Sequence, residues 1–121
     1  MIKATPVNNN LPSNMDDYIN SLDLKDALVN RSHLFTSEDL AELQKFYDQC
    51  EEYISDWNWG ATLIRYTEFK NYTMEVADQT CNISFDDWPA NCIDWDFAAA
   101  ELKYDYTALE WNDVVYYGLS N

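Results

Sequence analysis

Two apolar, β-prone runs, Thr107 to Trp111 and Val114 to Leu119, stand on either side of Asn112-Asp113. A two-residue spacer of this type closes a tight hairpin, because Asn and Asp accept the positive φ that such turns demand. The stretch before it, Trp88 to Tyr106, reads as a loop, a helix and the start of that hairpin. Pro89 bars a helix from running in, Asp94 is a good N-cap, and Ala98-Ala99-Ala100 give the following segment a strong helical bias. The last third is thus a helix feeding a two-stranded ribbon, and the segment Ile93 to Tyr106 is the expected structural pivot. Its inner face is assigned to Ile93, Phe97, Ala100 and Tyr104, with Trp95 also in the core and Asp94, Asp96 and Glu101 at the surface.

Earlier in the chain, residues 1–14 are polar, carry Pro6 and Pro12 and lack periodicity, which predicts an arm ordered only if it docks. Residues 15–121 form the expected single domain. Tyr18, Ile19 and Leu22, then Leu24, Leu28 and Val29, predict one or two short helices broken near Asp23. Thr36-Ser37-Glu38-Asp39 is a helix start, with a hydroxyl ahead of acids in the first turn. Leu40, Leu43, Tyr47, Cys50, Ile54 and Trp57 then recur at alternating spacings of three and four, one stripe of a long helix facing a core. Trp57-Asn58-Trp59-Gly60 ends it, Thr62 to Tyr66 reads as a strand, and Thr67 to Gln79 as a helix with Phe69, Tyr72, Thr73, Val76 and Ala77 inside. Asn82 to Trp88 reads as loop. The fold class expected is α+β, with helices of the first half packed on a small antiparallel sheet of Thr62 to Tyr66 and the C-terminal hairpin. A helical body with only a C-terminal hairpin is the alternative.

Charge is the second constraint. Among 121 residues, 22 Asp and Glu face 7 Lys and Arg, a formal net charge of −15, yet 47% of the chain is hydrophobic and can build a core. The acids are spread over the whole length rather than gathered in a tail, so the charge belongs to the surface of the folded domain. Self-repulsion at this density opposes folding, so something other than folding maintains it. Glu38 and Glu42 form a pair at (i, i+4), and Asp48, Glu52 and Asp56 a row at the same spacing. Such a row repeats at about 6 Å, against about 3.4 Å per phosphate along a DNA strand, so two or three adjacent rows are needed to approach a duplex. Glu68, Glu75 and Asp78 on the outside of the next helix, Asp86 and Asp87 in the loop, and Asp96 and Glu101 near the last helix complete the candidate carboxylates. Acids that merely keep the protein dispersed, or adapt it to high salt, are the plain alternative. Direct nucleic-acid binding is disfavoured either way, since no basic patch exists to neutralise phosphates.

In Pro89, Ile93-Asp94-Trp95, Ala98, Leu102 and Tyr104-Asp105-Tyr106 with a closing aromatic strand, the chain resembles the module that ends ArdA-type antirestriction proteins. Tyr66-Thr67-Glu68-Phe69 with Tyr72 and Glu75 resembles the acidic helix before it, so the likeness runs from about Leu63 to Leu119. Basic residues common in that family are replaced here by Ala99, Ala100 or Glu101, and nothing matches the family's first domain. The resemblance implies a DNA-mimic inhibitor of restriction enzymes.

Catalytic and metal chemistry find little to stand on. Two separated glycines cannot make a phosphate loop, and no Ser-His, Cys-His or His-Glu arrangement has useful spacing. His33 is alone and reads as a surface or helix-end histidine. Cys50, Cys81 and Cys92 lack a CxxC spacing, so buried thiols are expected and neither metal nor cofactor. Asp86-Asp87 and Asp94/Asp96 are pairs that acid abundance alone produces. The start lacks the apolar run of a signal peptide and no stretch approaches a membrane span, which predicts a cytoplasmic protein of the host bacterial cell. The function expected is a non-enzymatic DNA mimic that occupies the DNA groove of a host type I restriction-modification complex, as a monomer or a homodimer. An inhibitor of a CRISPR effector, or an acidic protein-binding module without mimicry, are the alternatives.

Overall fold

The computed structural model describes residues 11–83, Asp86 and residues 88–120. Most of the expected N-terminal arm (1–10) and Asp87 of the expected pair lie outside the described residues. Within them the elements are β1 (Tyr18–Asn20), α1 (Ser21–Asn30), α2 (Ser37–Tyr53), the single turn α3 (Trp57–Gly60), β2 (Thr62–Arg65), α4 (Phe69–Cys81), the single turn α5 (Trp88–Asn91), α6 (Trp95–Leu102), β3 (Tyr106–Trp111) and β4 (Val114–Leu119). The four described strands form one antiparallel sheet in the order β1-β2-β4-β3. The fold is therefore α+β with a C-terminal hairpin, not a helical body with a hairpin appended.

Local chemistry accounts for the boundaries. Asn112 and Asp113 take φ of 50° and 71°, so both central residues of the hairpin turn are left-handed, as a type I′ turn requires. Three caps stop helices from fraying: the Asn20 side chain accepts from the Leu22 amide at 2.9 Å, Thr36 Oγ1 from Asp39 at 3.1 Å, and Asp94 Oδ1 from Phe97 at 3.1 Å. Asn82, with φ of 57°, ends α4 in the left-handed conformation that Asn tolerates better than most residues.

Helices cover both faces of the sheet. On one face Leu24, Leu43, Phe46 and Cys50 from α1 and α2 pack with Ile19, Leu63, Leu109, Trp111 and Tyr116. On the other, Phe69 of α4 and Ala99 of α6 pack with Ile64, and Tyr72, Leu102, Tyr106 and Tyr117 close round them. The division follows from the period of two along a strand: Leu63 and Tyr116 face one core, Ile64 and Tyr117 the other. Part of residues 11–14 docks onto the first side, with Pro12 buried, the Tyr116 hydroxyl donating to the Ser13 carbonyl at 3.3 Å and Arg65 Nε donating to the Asn14 carbonyl at 3.2 Å.

Several expectations need correction. Tyr18 to Asn20 is a strand, paired with β2 from Tyr18↔Ile64 to Asn20↔Thr62, and the helix begins only at Ser21. The long helix stops at Tyr53 rather than reaching Trp57, because Ile54 leaves it to bridge Ser120 and fill the core, while the Ser55 amide donates to the Leu119 carbonyl at 2.8 Å. Ile54 and Trp57 are buried all the same, from a different backbone, and Phe46, absent from the expected stripe, is a central core residue. The inner face of α6 is not the expected one: Phe97 is 62% and Tyr104 83% exposed, and Ala100 is exposed as well, whereas Ala99 is buried. A small residue is what lets the helix approach Ile64 and Phe69 closely. Ile93 and Trp95 are half-buried, the Trp95 indole donating to the Ala90 carbonyl at 3.2 Å. Of the thiols, Cys50 is buried, but Cys81 and Cys92 are exposed.

Candidate acidic interaction surface

α2 carries six acids in 17 residues, Glu38, Asp39, Glu42, Asp48, Glu51 and Glu52, and every one is exposed. At 1.5 Å per residue the helix is about 25 Å long, so its six acids average about one per 4 Å of axis, gathered in two groups, Glu38 to Glu42 and Asp48 to Glu52, around the helix rather than in one line. Glu38, Asp48, Glu51 and Glu52 fall on the half of the helix turned away from Leu43, Phe46 and Cys50, while Asp39 and Glu42 lie on the half toward the sheet. Gln44 Nε2 steadies one of them by donating to Asp48 Oδ1 at 2.9 Å. Rows of period four pass over Asp39 and Glu51; counting every exposed acid of the helix finds them.

Asp56 does not continue the row of Asp48 and Glu52. It lies beyond the end of α2 with φ of 58°, exposed, its carbonyl accepting from the Trp59 amide at 2.9 Å. Its own left-handed backbone turns the chain after Ile54 has left the helix, so the spacing of four loses its meaning there.

The remaining candidates stand elsewhere. Glu75 and Asp78 are exposed on α4, and Asp96 and Glu101 on α6. These helices cover the opposite face of the sheet from α2, so the two groups cannot form adjacent rows. Glu68 is half-buried in the 3-10 turn before α4 and accepts from Asn71 Nδ2 at 3.3 Å. Asp96 lies 3.3 Å from Lys70 Nζ across α4 and α6, a wet pair of small worth. Asp86 is exposed in the connection before α5.

Two acids that the spacing argument did not single out join Glu42 in space: Glu110 and Asp113 line, with Glu42, an open groove of about 600 Å³ between α2 and the hairpin. A third, Asp105, lines a separate groove between α4 and α6 on the opposite side of the sheet. Only the pairing of α2 with β3 reveals the first set, since Glu42 and Asp113 are far apart in sequence. Among the described residues no group of three His, Cys, Asp or Glu could hold a metal ion, and no helix is long and apolar enough to cross a membrane.

Fold and surface together define an α+β domain of three layers, helices on both faces of an antiparallel sheet, with six exposed carboxylates on the longest described helix. Compared with protein-family models, with curated proteins and with solved structures, the chain matches none.

Proposed function

We propose that the protein is a DNA-mimic antirestriction protein, an inhibitor without catalytic activity that lies in the DNA-binding groove of a host type I restriction-modification complex in the bacterial cytoplasm. The observation that carries this reading is the set of six exposed carboxylates on α2, averaging about one per 4 Å of helix axis against about 3.4 Å per phosphate along one DNA strand. Internal pairing cannot neutralise the surface as a whole: one acid for each Lys and Arg still leaves a net charge of −15. Lys and Arg that hold phosphates in the target would hold these carboxylates instead, and such contacts read no bases, so enzymes of differing specificity fall to the same inhibitor. The partner is the protein complex; neither nucleic acid nor membrane is bound directly.

Competition with DNA for a type I restriction enzyme, titrated with salt, tests the proposal. Inhibition should weaken steeply as ionic strength rises. Neutralising Glu38, Glu42, Asp48 and Glu52 together with Gln or Asn should weaken it strongly, while neutralising Glu75, Asp78 and Glu101 on the other face should not. Binding that ignores both DNA and salt would end the proposal.

The exposed aromatics Trp88, Phe97 and Tyr104 favour a second reading, an acidic module that recognises an ordinary protein through the α4 and α6 side. On that reading Phe97→Ala abolishes binding and neutralising α2 does little.

A further inference from the structure

Among the described residues β3 is an edge strand, since the sheet order β1-β2-β4-β3 leaves only β4 beside it. The Ser120 amide donates to the Asp105 carbonyl at 2.9 Å, and the register then runs from Tyr106↔Leu119 to Trp111↔Val114 without a break. Bonded and non-bonded pairs alternate in an antiparallel ladder. Thr107, Leu109 and Trp111 therefore spend their backbone groups on β4, and Tyr106, Ala108 and Glu110 turn theirs outward, where no described residue forms a strand. Exposed edges are usually blunted by charged side chains, Lys above all, by Pro, a bulge, short length or a covering segment. β3 has six residues, no Lys, no Pro and no bulge, and a single charge, Glu110, in contrast to the opposite edge, β1, which has three residues.

Beside those outward groups runs the groove of about 600 Å³, walled by Glu42, Lys45 and Gln49 of α2 and by Ala108, Glu110 and Asp113 of the hairpin. A helix alongside an open strand edge is the geometry in which extended peptides are captured by strand addition. Acids outnumber the single base in this wall, so it favours a basic occupant. We propose that the groove takes an extended Lys- or Arg-bearing segment of a partner protein as a fifth strand, its backbone bonded to Ala108 and Glu110. Side chains of such a segment alternate between the two faces, so those on one face meet Glu42 and those on the other Glu110. A second copy of this chain is the poorer occupant, because it would set Glu110 and Asp113 against its own acids at a net charge of −15 on each side. The proposal goes beyond DNA mimicry and does not depend on it, since the assay needs neither DNA nor a restriction enzyme.

The probe is a capped nine-residue peptide of alternating Lys and Val, added to the full-length protein while amide hydrogen exchange is followed residue by residue. Exchange at Ala108 and Glu110 should slow as peptide is added, while Leu109, already bonded to β4, stays unchanged. The same peptide N-methylated on its internal amides keeps its charge but loses its donors, and should bind about tenfold more weakly or worse. Ala108→Pro removes an outward N–H without touching the β4 ladder and should cause a similar loss, with the exchange data on the unaltered protein standing whether or not this variant folds. Equal binding of the methylated peptide, or no protection at Ala108 and Glu110, would overturn the proposal and leave only surface charge. Protection of these amides that grows with protein concentration in the absence of peptide would assign the edge to a second copy and overturn it too.

Discussion

Tyr116 and Tyr117 are consecutive in β4 yet serve different cores: the Tyr116 ring lies 5.9 Å from Phe46 of α2, and the Tyr117 ring 5.0 Å from Phe69 of α4. The sheet is a wall between two hydrophobic layers, and β4 contributes one ring to each. Phe46 is further stacked on Trp111 at 5.3 Å, and Phe69 stands edge-on to Tyr106 at 5.2 Å.

Phe46→Leu and Phe69→Leu should each cost about 1–3 kcal/mol, for lost contacts plus a residual cavity. Because the two rings share no partner, the double variant should lose the sum of the two to within about 0.5 kcal/mol. Denaturant melts of the three variants check this. A coupling above about 1 kcal/mol would mean that the sheet transmits packing strain between its faces.

Phe97 and Ala99 invert the usual expectation for their sizes. With Phe97 62% exposed, Phe97→Ala should change stability by no more than about 0.5 kcal/mol, whereas Ala99→Leu forces bulk against Ile64 and Phe69 and should cost about 1–3 kcal/mol. If thermal melts reversed that order, the inner face of α6 would have to be redrawn through Phe97.

These residues also mark where the sequence was legible. The hairpin, the Thr36 and Asp94 caps and the amphipathic α2 and α4 follow from chemistry within a few residues, and they were readable. The α6 face was not, because Ala98, Ala99 and Ala100 offer no contrast in polarity and the largest neighbour, Phe97, looks like core. β1 was hidden for a different reason: three residues are too few to show alternation, and only pairing with β2 makes Tyr18–Asn20 a strand. The candidate acids were all visible as acids. Their division between opposite faces of the sheet, and the meeting of Glu42 with Glu110 and Asp113, depend on long-range packing that spacing along one helix cannot contain.

Gly118 should not tolerate a side chain. A Cβ there would lie 2.6 Å from Ile54 Cδ1 and 3.0 Å from Leu63 Cδ2, both on buried residues. Gly118→Ala should therefore destabilise by about 1–3 kcal/mol, and Gly118→Ala with Ile54→Val should recover part of the loss by returning a methyl's worth of space. Unchanged stability in the single variant would show that Ile54 moves aside freely, against its place at the bridge to Ser120.

The last expectation concerns alkaline pH. Burial raises the Cys50 thiol above its ordinary 9.0. Burial, then the hydrogen bond and charge of Tyr72 with a smaller push from Asp105, raise Tyr106 above its ordinary 10.0. Burial, then the charge of Asp16, raise Tyr116 above the same value, with Arg65 opposing. In all three the neutral, protonated form is favoured by the fold, so the folded protein holds protons that the unfolded chain gives up. Their contribution to stability is complete below the unfolded pKa values and is lost as pH climbs from there toward the folded ones. The melting temperature should thus be insensitive to these groups up to about pH 9 and fall progressively above it. Tyr106→Phe removes one of the titrations: it should lower the melting temperature at neutral pH by losing the 2.8 Å bond to Tyr72, yet make the alkaline decline shallower. Melting curves at half-unit steps from neutral to strongly alkaline pH, for both proteins, decide it, and parallel declines would mean that Tyr106 ionises as readily in the fold as outside it.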